Sequence, residues 1–469
     1  MLNSTLLLTL VTLAGLVLGF AREWLLIDAW GAGEQTDALV LALFLPDMVR
    51  MTLAAGLLNV AAVPLFHQQT VVAGRQWLNS LGSLLFVCAL VLSGVFYLFA
   101  PFWLKLLGPG IAPGARIVAV SAFEILTWCL PGMFLHAVCG IWLQLRESYV
   151  LWGMGSFLFN LFPVGWLLIR GPEAVTNEFA LACVFGSILM ALIVIPSAWR
   201  EGWRPLVFAG TLGAGALFVR RIGPVLLSNL GSHAVTLVER MVASLLGEGM
   251  VTWVNLARKL INLPLIALPA LNQVLLGKLS AGHKDERLGV LRQGLVLTSC
   301  LVVPAAVFIM ASSPTLVFFL LPEQTTGILA GLLGWFSWPL LVGAWNALLA
   351  RYAYANHDTR LPLMCELAGT GLHVAGLASL PFWFGVPGFA LANFGAVMLT
   401  SLLLLHRQSL WRHVGWRLQW AGGAGFLLIA ALLVQPMNAG IVQLVAGAGL
   451  GTASFLIMLA VLKPWKITV

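Results

Sequence analysis

The sequence predicts an all-α polytopic membrane protein of about fourteen transmembrane helices, arranged as two six-helix lobes plus two C-terminal helices. Three observations predict it. The 469 residues are 60% hydrophobic and only 9% charged, with a mean hydropathy of +0.98, whereas soluble domains carry roughly 25% charged residues. Apolar runs of about 20 residues, the length that crosses a hydrocarbon core of about 30 Å, recur from one end to the other and leave no room for a soluble domain. The third observation is a faint internal echo. Arg22 is followed by Gly31-x-Gly33 and then Leu45-Pro46, and Arg240 by Gly247-x-Gly249 and then Leu263-Pro264. Parallel repeats of this kind are common in transporters.

With Pro, Gly and charge clusters as breaks, hydropathy places spans at about 4–27, 36–65, 79–100, 117–144, 149–169, 177–199, 221–246, 250–277, 290–311, 326–350, 361–383, 386–405, 418–434 and 441–462. The predicted organisation is an N-lobe at 1–199, a cytoplasmic linker at 200–220, a C-lobe at 221–405 and a C-terminal helix pair at 406–469. Met1 to Phe20 lacks a basic n-region and a cleavage site, so it reads as the first span rather than a signal peptide. Orientation follows from the loops, because short cytoplasmic loops are enriched in Lys and Arg. With both termini inside, 17 basic residues fall on the cytoplasmic side and 3, Lys105, Arg116 and Arg170, outside. The remaining 5 of 25, Arg22, Arg50, Arg240, Arg258 and Lys259, lie within or at the ends of spans.

Composition also excludes function classes. The net charge of +8 is spread over short loops rather than one face, which argues against a nucleic-acid partner. Six cysteines, Cys88, Cys129, Cys139, Cys183, Cys300 and Cys365, show neither a CxxC pair nor metal spacing. No GxxxxGK[ST], HExxH or Ser, His and Asp set is present, so neither ATP hydrolysis nor covalent catalysis is expected, and no cofactor or metal is called for.

The candidate site is the set of five intramembrane cations. Ionisable groups at bilayer depth are costly and by default face a wet cavity or pathway. Arg forks match phosphate oxygens and Lys adds a point charge, so a cavity lined by these residues suits a large anion such as a pyrophosphate headgroup. The competing reading is internal ion pairing: Asp47 and Arg50 stand at i,i+3, and Glu23 and Glu239 neighbour Arg22 and Arg240. Three acids against five bases leave an excess of positive charge. Asp37, after Thr36, is expected either to support the site or simply to cap its helix. The run SNLGSHAVTLVER places Ser228, Asn229, Ser232, His233, Thr236, Glu239 and Arg240 on a polar stripe, suited to lining a cavity, coordinating a coupling ion or bonding between helices. His136 and His373 read as packing residues, and Glu124 and Glu366 as weak coupling candidates.

At GFAREWLL, GAGEQTDA and LPDMVR the chain resembles the MurJ/MviN family of lipid-linked oligosaccharide flippases, over residues 15–64 most closely. The resemblance implies two six-helix lobes around a cationic, lipid-accessible cavity. It implies alternating access that carries an undecaprenyl-pyrophosphate-linked sugar to the outer leaflet of a bacterial inner membrane. Membrane lipid, a polysaccharide polymerase and glycosyltransferases are the implied partners. The family's functional arginines in the first two helices match Arg22 and Arg50, and its aspartate matches Asp37. In the eighth helix its Asp-Arg pair and following Glu match Arg258, Lys259 and Asn262, so the acids are gone. Gly15 and Leu16 replace its Ser-Arg, and Ala55 its Glu. These departures favour an exopolysaccharide repeat unit, of the kind made by biofilm polysaccharide clusters, over lipid II as the expected cargo. A cation-coupled drug antiporter is the rival of another class.

Overall fold

The computed structural model describes residues 2–54, 57–146, 148–207, 211–263, 284–321, 327–356 and 360–464, with single positions 265, 268, 275 and 358. Every regular element among them is a helix. Ten of these helices are long and apolar enough to cross a membrane. Among the described residues the chain divides into two compact units, Met1–Thr252 and Trp253–Val469.

The first unit contains Leu2–Trp30, then three short helices, Glu34–Ala42, Phe44–Ala54 and Leu57–His67, where a single span at 36–65 was expected. Residues 55–56 lie outside the described residues; the apolar composition hides the break at Leu43, because hydropathy registers depth and not backbone continuity. Val71–Leu98, Ala100–Leu107, Pro113–Leu126, Cys129–Gln144, Tyr149–Gly153, Gly155–Arg170, Thr176–Glu201 and Thr211–Leu246 follow. Leu2–Trp30 packs on Gly155–Arg170, which packs in turn on Thr176–Glu201, and that helix lies against Cys129–Gln144. In lipid, association depends on close van der Waals approach rather than on expulsion of water. Small residues supply it here: a Cβ at Gly186 would come 2.3 Å from the Phe159 carbonyl oxygen, and one at Gly132 would come 2.6 Å from that of Ser187.

The second unit is built on Lys284–Leu320, which packs on both Gly327–Ala355 and Ile441–Leu462, while Val386–Arg407 packs on Gly327–Ala355 and Arg360–Leu377. Two sets of buried polar groups satisfy one another, as a low-dielectric interior favours. Trp345 Nε1 donates to Ser299 Oγ at 2.9 Å. Gln443 accepts from the Thr315 N–H at 3.1 Å and from its hydroxyl, and donates to the carbonyls of Val434 and Gln435. That pair fastens the last helix to Lys284–Leu320. The expected span at 250–277 is described as Met250–Asn262, and its remainder lies largely outside the described residues. All six cysteines are unpaired.

Candidate functional site

Around the helix breaks of the first unit the structure gathers an ion cluster. Arg22 sits inside Leu2–Trp30 and is 1% exposed. Its guanidinium donates to Glu23 at 2.8 Å and to Asp47 at 2.6 Å. Asp47 also receives Arg50 Nε and Nη2, both at 3.3 Å, and Arg50 Nη1 donates to Ser156 Oγ at 2.7 Å. Phe159 lies beneath both guanidinium groups, 5.9 Å from Arg22 and 5.0 Å from Arg50, so its ring face adds a cation–π contact to each. The ion-pairing reading therefore holds for Arg22 and Arg50. Each is tied to a carboxylate, and Arg22 is enclosed rather than presented to a cavity in this conformation.

Arg240, from Thr211–Leu246, belongs to the same unit. It donates to the Val40 carbonyl at 2.9 Å and stacks 4.5 Å from the Phe44 ring. The acids acting on it are Glu23, Asp47 and Glu239. Three cations and three acids thus balance formally around this cluster. His233 shares a 3.1 Å hydrogen bond with Thr52 Oγ1. The side chains of Ser228, Asn229 and Ser232 and that of Ala55 lie outside the described residues. In the second unit, Arg258 stacks 4.3 Å from the Phe336 ring, and Lys259 follows it in the last turn of Met250–Asn262. The excess positive charge counted along the sequence therefore comes from Arg258 and Lys259.

Asp37 corrects an expectation. It does not cap its own helix, whose N-cap is Gly33 with no side-chain bond. Its carboxylate instead accepts from the Thr252 N–H at 2.7 Å and the Thr252 hydroxyl at 2.6 Å. Thr252 is the third residue of Met250–Asn262, so Asp37 caps that helix and meets an unpaired N–H at its positive end. The reverse contact also exists: Glu248 accepts from the Glu34 N–H, the first residue of Glu34–Ala42, at 3.4 Å. The two Gly-x-Gly stretches thus meet. Gly249 has φ +78°, and a Cβ there would stand 2.8 Å from the Ala32 carbonyl oxygen, so glycine is needed for both conformation and approach.

Among the described residues no group of three or more His, Cys, Asp or Glu is arranged to hold a metal. Sequence reasoning missed Ser156, Phe159, Glu248 and Thr252 as partners, since each meets its partner only through contact between segments distant in the chain. The Gly247-x-Gly249 echo was the one available signal for Glu248.

Residues 27–461 match the family profile described as "Lipid II flippase MurJ". The chain belongs to the MurJ family. A lipid II flippase MurJ of Burkholderia cenocepacia is 26% identical over 419 residues, 84% of this chain and 81% of that protein. A probable lipid II flippase MurJ of Vibrio cholerae is 24% identical over 98% of this chain and 96% of its own length. Among solved structures, a lipid II flippase MurJ in an inward closed conformation superposes with a TM-score of 0.85 at 18% identity, covering 97% of this chain and 98% of that one. An inward-facing multidrug MATE transporter of the MOP superfamily gives 0.67 at 15% identity, over 85% and 96%. These structural likenesses show the fold.

Proposed function

We propose that this MurJ-family protein is a flippase that carries a polyprenyl-pyrophosphate-linked saccharide from the cytoplasmic to the outer leaflet of a bacterial inner membrane by alternating access. Both termini lie in the cytoplasm. The reading rests on the cations that hydropathy puts within or at the ends of apolar stretches: Arg50 and Arg240, which lie in the first unit, and Arg258 and Lys259, which lie in the second. Fixed cations in a low-dielectric setting attract phosphate oxygens more strongly than they would in water. Arg22 acts one step back, holding Asp47 and through it Arg50. The repeat pattern supports two lobes, 1–199 and 221–405, joined by 200–220 and followed by 406–469. The work is transport, not catalysis.

Lipid II is the cargo that the relatives support, since each protein named above as a MurJ is called a lipid II flippase. An exopolysaccharide repeat unit is the second reading. It is favoured by the acid-free Arg258, Lys259 and Asn262 and by Gly15 and Leu16, positions where the recognition of the headgroup differs. Expression in a strain depleted of its own lipid II flippase decides between them. Rescue from lysis supports lipid II; full-length protein in the membrane without rescue, together with loss of polymer export on deletion of the gene in its own host, supports the exopolysaccharide. A basic site is a poor match for the organic cations of a drug antiporter, and resistance to cationic dyes on expression would favour that rival.

A further inference from the structure

Gly155–Arg170 and Thr176–Glu201 pack together, lie in stretches long and apolar enough to cross a membrane, and are joined only by residues 171–175. Arg170 and Glu178 therefore sit at the same end of the pair, at the membrane surface. Between the outward faces of the two helices runs a groove of about 440 Å³, lined by Leu161, Phe162, Trp166, Leu181 and Phe185, with Glu178 at its surface end. Pockets that hold small ligands measure roughly 300–1,000 Å³, so the groove is large enough to hold part of one. At 1.5 Å per residue, Phe185 lies about 10 Å deeper than Glu178, and there its ring meets that of Phe162 at 6.3 Å. Gly165 opens the middle of the groove, since a Cβ there would meet nothing within 4 Å.

Bilayer lipid covers any exposed apolar helix face, so the apolar wall alone selects nothing. What distinguishes this groove is the charge at its mouth. Arg170 stacks 4.9 Å from the Trp166 ring, a cation–π contact that holds the guanidinium beside the groove. Among the described residues neither Arg170 nor Glu178 has an ion-pair partner. The surface end carries two acids, Glu173 and Glu178, against one base, Arg170, a balance that disfavours a purely anionic headgroup. The helix dipole also favours an acid in the first turn, which accounts for the charge of Glu178 but not for its place on the groove wall. A ligand that fits offers an apolar tail to the groove, phosphate oxygens to Arg170 and a cationic donor to Glu178. A carboxylate only accepts hydrogen bonds, so a primary ammonium with three N–H donors satisfies it, whereas a quaternary ammonium has none to give.

We propose that this groove is a docking site for a bilayer phospholipid whose headgroup carries both a phosphate and a primary ammonium. One acyl chain lies along Phe162, Leu181 and Phe185, the phosphate meets Arg170 and the ammonium meets Glu178. The occupant is a lipid of the surrounding bilayer and not the transported one, so the inference stands whichever saccharide the protein carries.

The test is native mass spectrometry of the purified full-length protein, delipidated in detergent and titrated with phosphatidylethanolamine, phosphatidylcholine and phosphatidylglycerol of identical acyl chains. Phosphatidylethanolamine is expected to fill its first site at a concentration about tenfold below that required by the other two, as one charge-assisted hydrogen bond would give. Glu178→Gln should abolish this preference, and Arg170→Gln should weaken all three lipids alike. Gly165→Phe, whose ring enters the groove where the backbone leaves open space, should remove the selective site altogether. Melting curves establish that each variant is folded, and should Gly165→Phe not fold, Gly165→Leu carries the same comparison. Equal affinity for the three lipids, a preference for phosphatidylglycerol, or a preference that survives Glu178→Gln or Gly165→Phe overturns the proposal. A dimer that Gly165→Phe disperses, with no selective lipid bound, overturns it as well, because the groove is then filled by a second copy of the chain.

Discussion

The Asp37 carboxylate accepts two hydrogen bonds from Thr252, one from its backbone N–H at 2.7 Å and one from its hydroxyl at 2.6 Å. These residues are 215 positions apart in the chain and join the Gly31-x-Gly33 and Gly247-x-Gly249 stretches. Charge-assisted hydrogen bonds contribute about 1.5–3 kcal/mol each. Asp37→Ala is therefore expected to lower the thermal midpoint of the detergent-solubilised protein by several degrees. Thr252→Val, which keeps the backbone bond, should cost less. The effects of Asp37→Asn and Thr252→Val should fall short of additivity in a double-mutant cycle, and strict additivity would show that the two residues do not act as a pair.

Arg22 neutralises Glu23 and Asp47 in an enclosed setting. Removing one member of a buried ion pair costs about 3–5 kcal/mol because its partner is left charged and unpaired. Arg22→Ala should thus reduce the amount of folded protein in the membrane, measured by fluorescence-detected size exclusion. Arg22→Met combined with Glu23→Gln, which leaves Asp47 to Arg50, should recover much of that loss. Recovery of folded protein without recovery of transport would separate the structural part of Arg22 from its bearing on the substrate.

Gly249 combines φ +78° with a backbone oxygen 2.8 Å from the site of any Cβ. Gly249→Ala is expected to destabilise more than Gly247→Ala, which has φ +136° and nothing within 4 Å. Paired melting curves check the order. Equal melting points would mean that backbone conformation, and not the approach of Ala32, sets the requirement.

Gln443 joins the last helix to Thr315 through two accepted hydrogen bonds and donates to the Val434, Gln435 and Met437 carbonyls. Gln443→Leu leaves those buried groups unsatisfied, at about 1–3 kcal/mol for each. Limited proteolysis should then cleave within 435–440 faster than in the unsubstituted protein. An unchanged cleavage rate would show that apolar packing alone holds the helix.

Much of this arrangement was legible in the sequence. Hydropathy placed expected spans on the ten described helices that are long and apolar enough to cross a membrane, because a spanning helix satisfies its own backbone polar groups and presents apolar side chains to lipid. The i,i+3 spacing announced the Asp47 and Arg50 pair. What the sequence did not disclose depends on contacts between distant segments. Nothing local to Arg22 indicates that Asp47 neutralises it, and nothing near Asp37 indicates that it caps the helix beginning at Met250. The break at Leu43 is marked only by Pro46 and Asp47 in the first turn of the helix that follows, which hydropathy averages away.

The central claim is that this chain moves a pyrophosphate-linked saccharide across a bilayer. It is tested most directly by reconstituting the purified protein into liposomes that contain a fluorescent polyprenyl-pyrophosphate saccharide, and following its appearance in the opposite leaflet with a membrane-impermeant quencher. Substrates offered should include both lipid II and the repeat unit of the host's exopolysaccharide. The account predicts transfer well above protein-free liposomes for at least one of them, reduced at least tenfold by Arg240→Ala or Lys259→Ala in folded protein. Transfer at the protein-free rate for both lipids, or full activity in both variants, would contradict it.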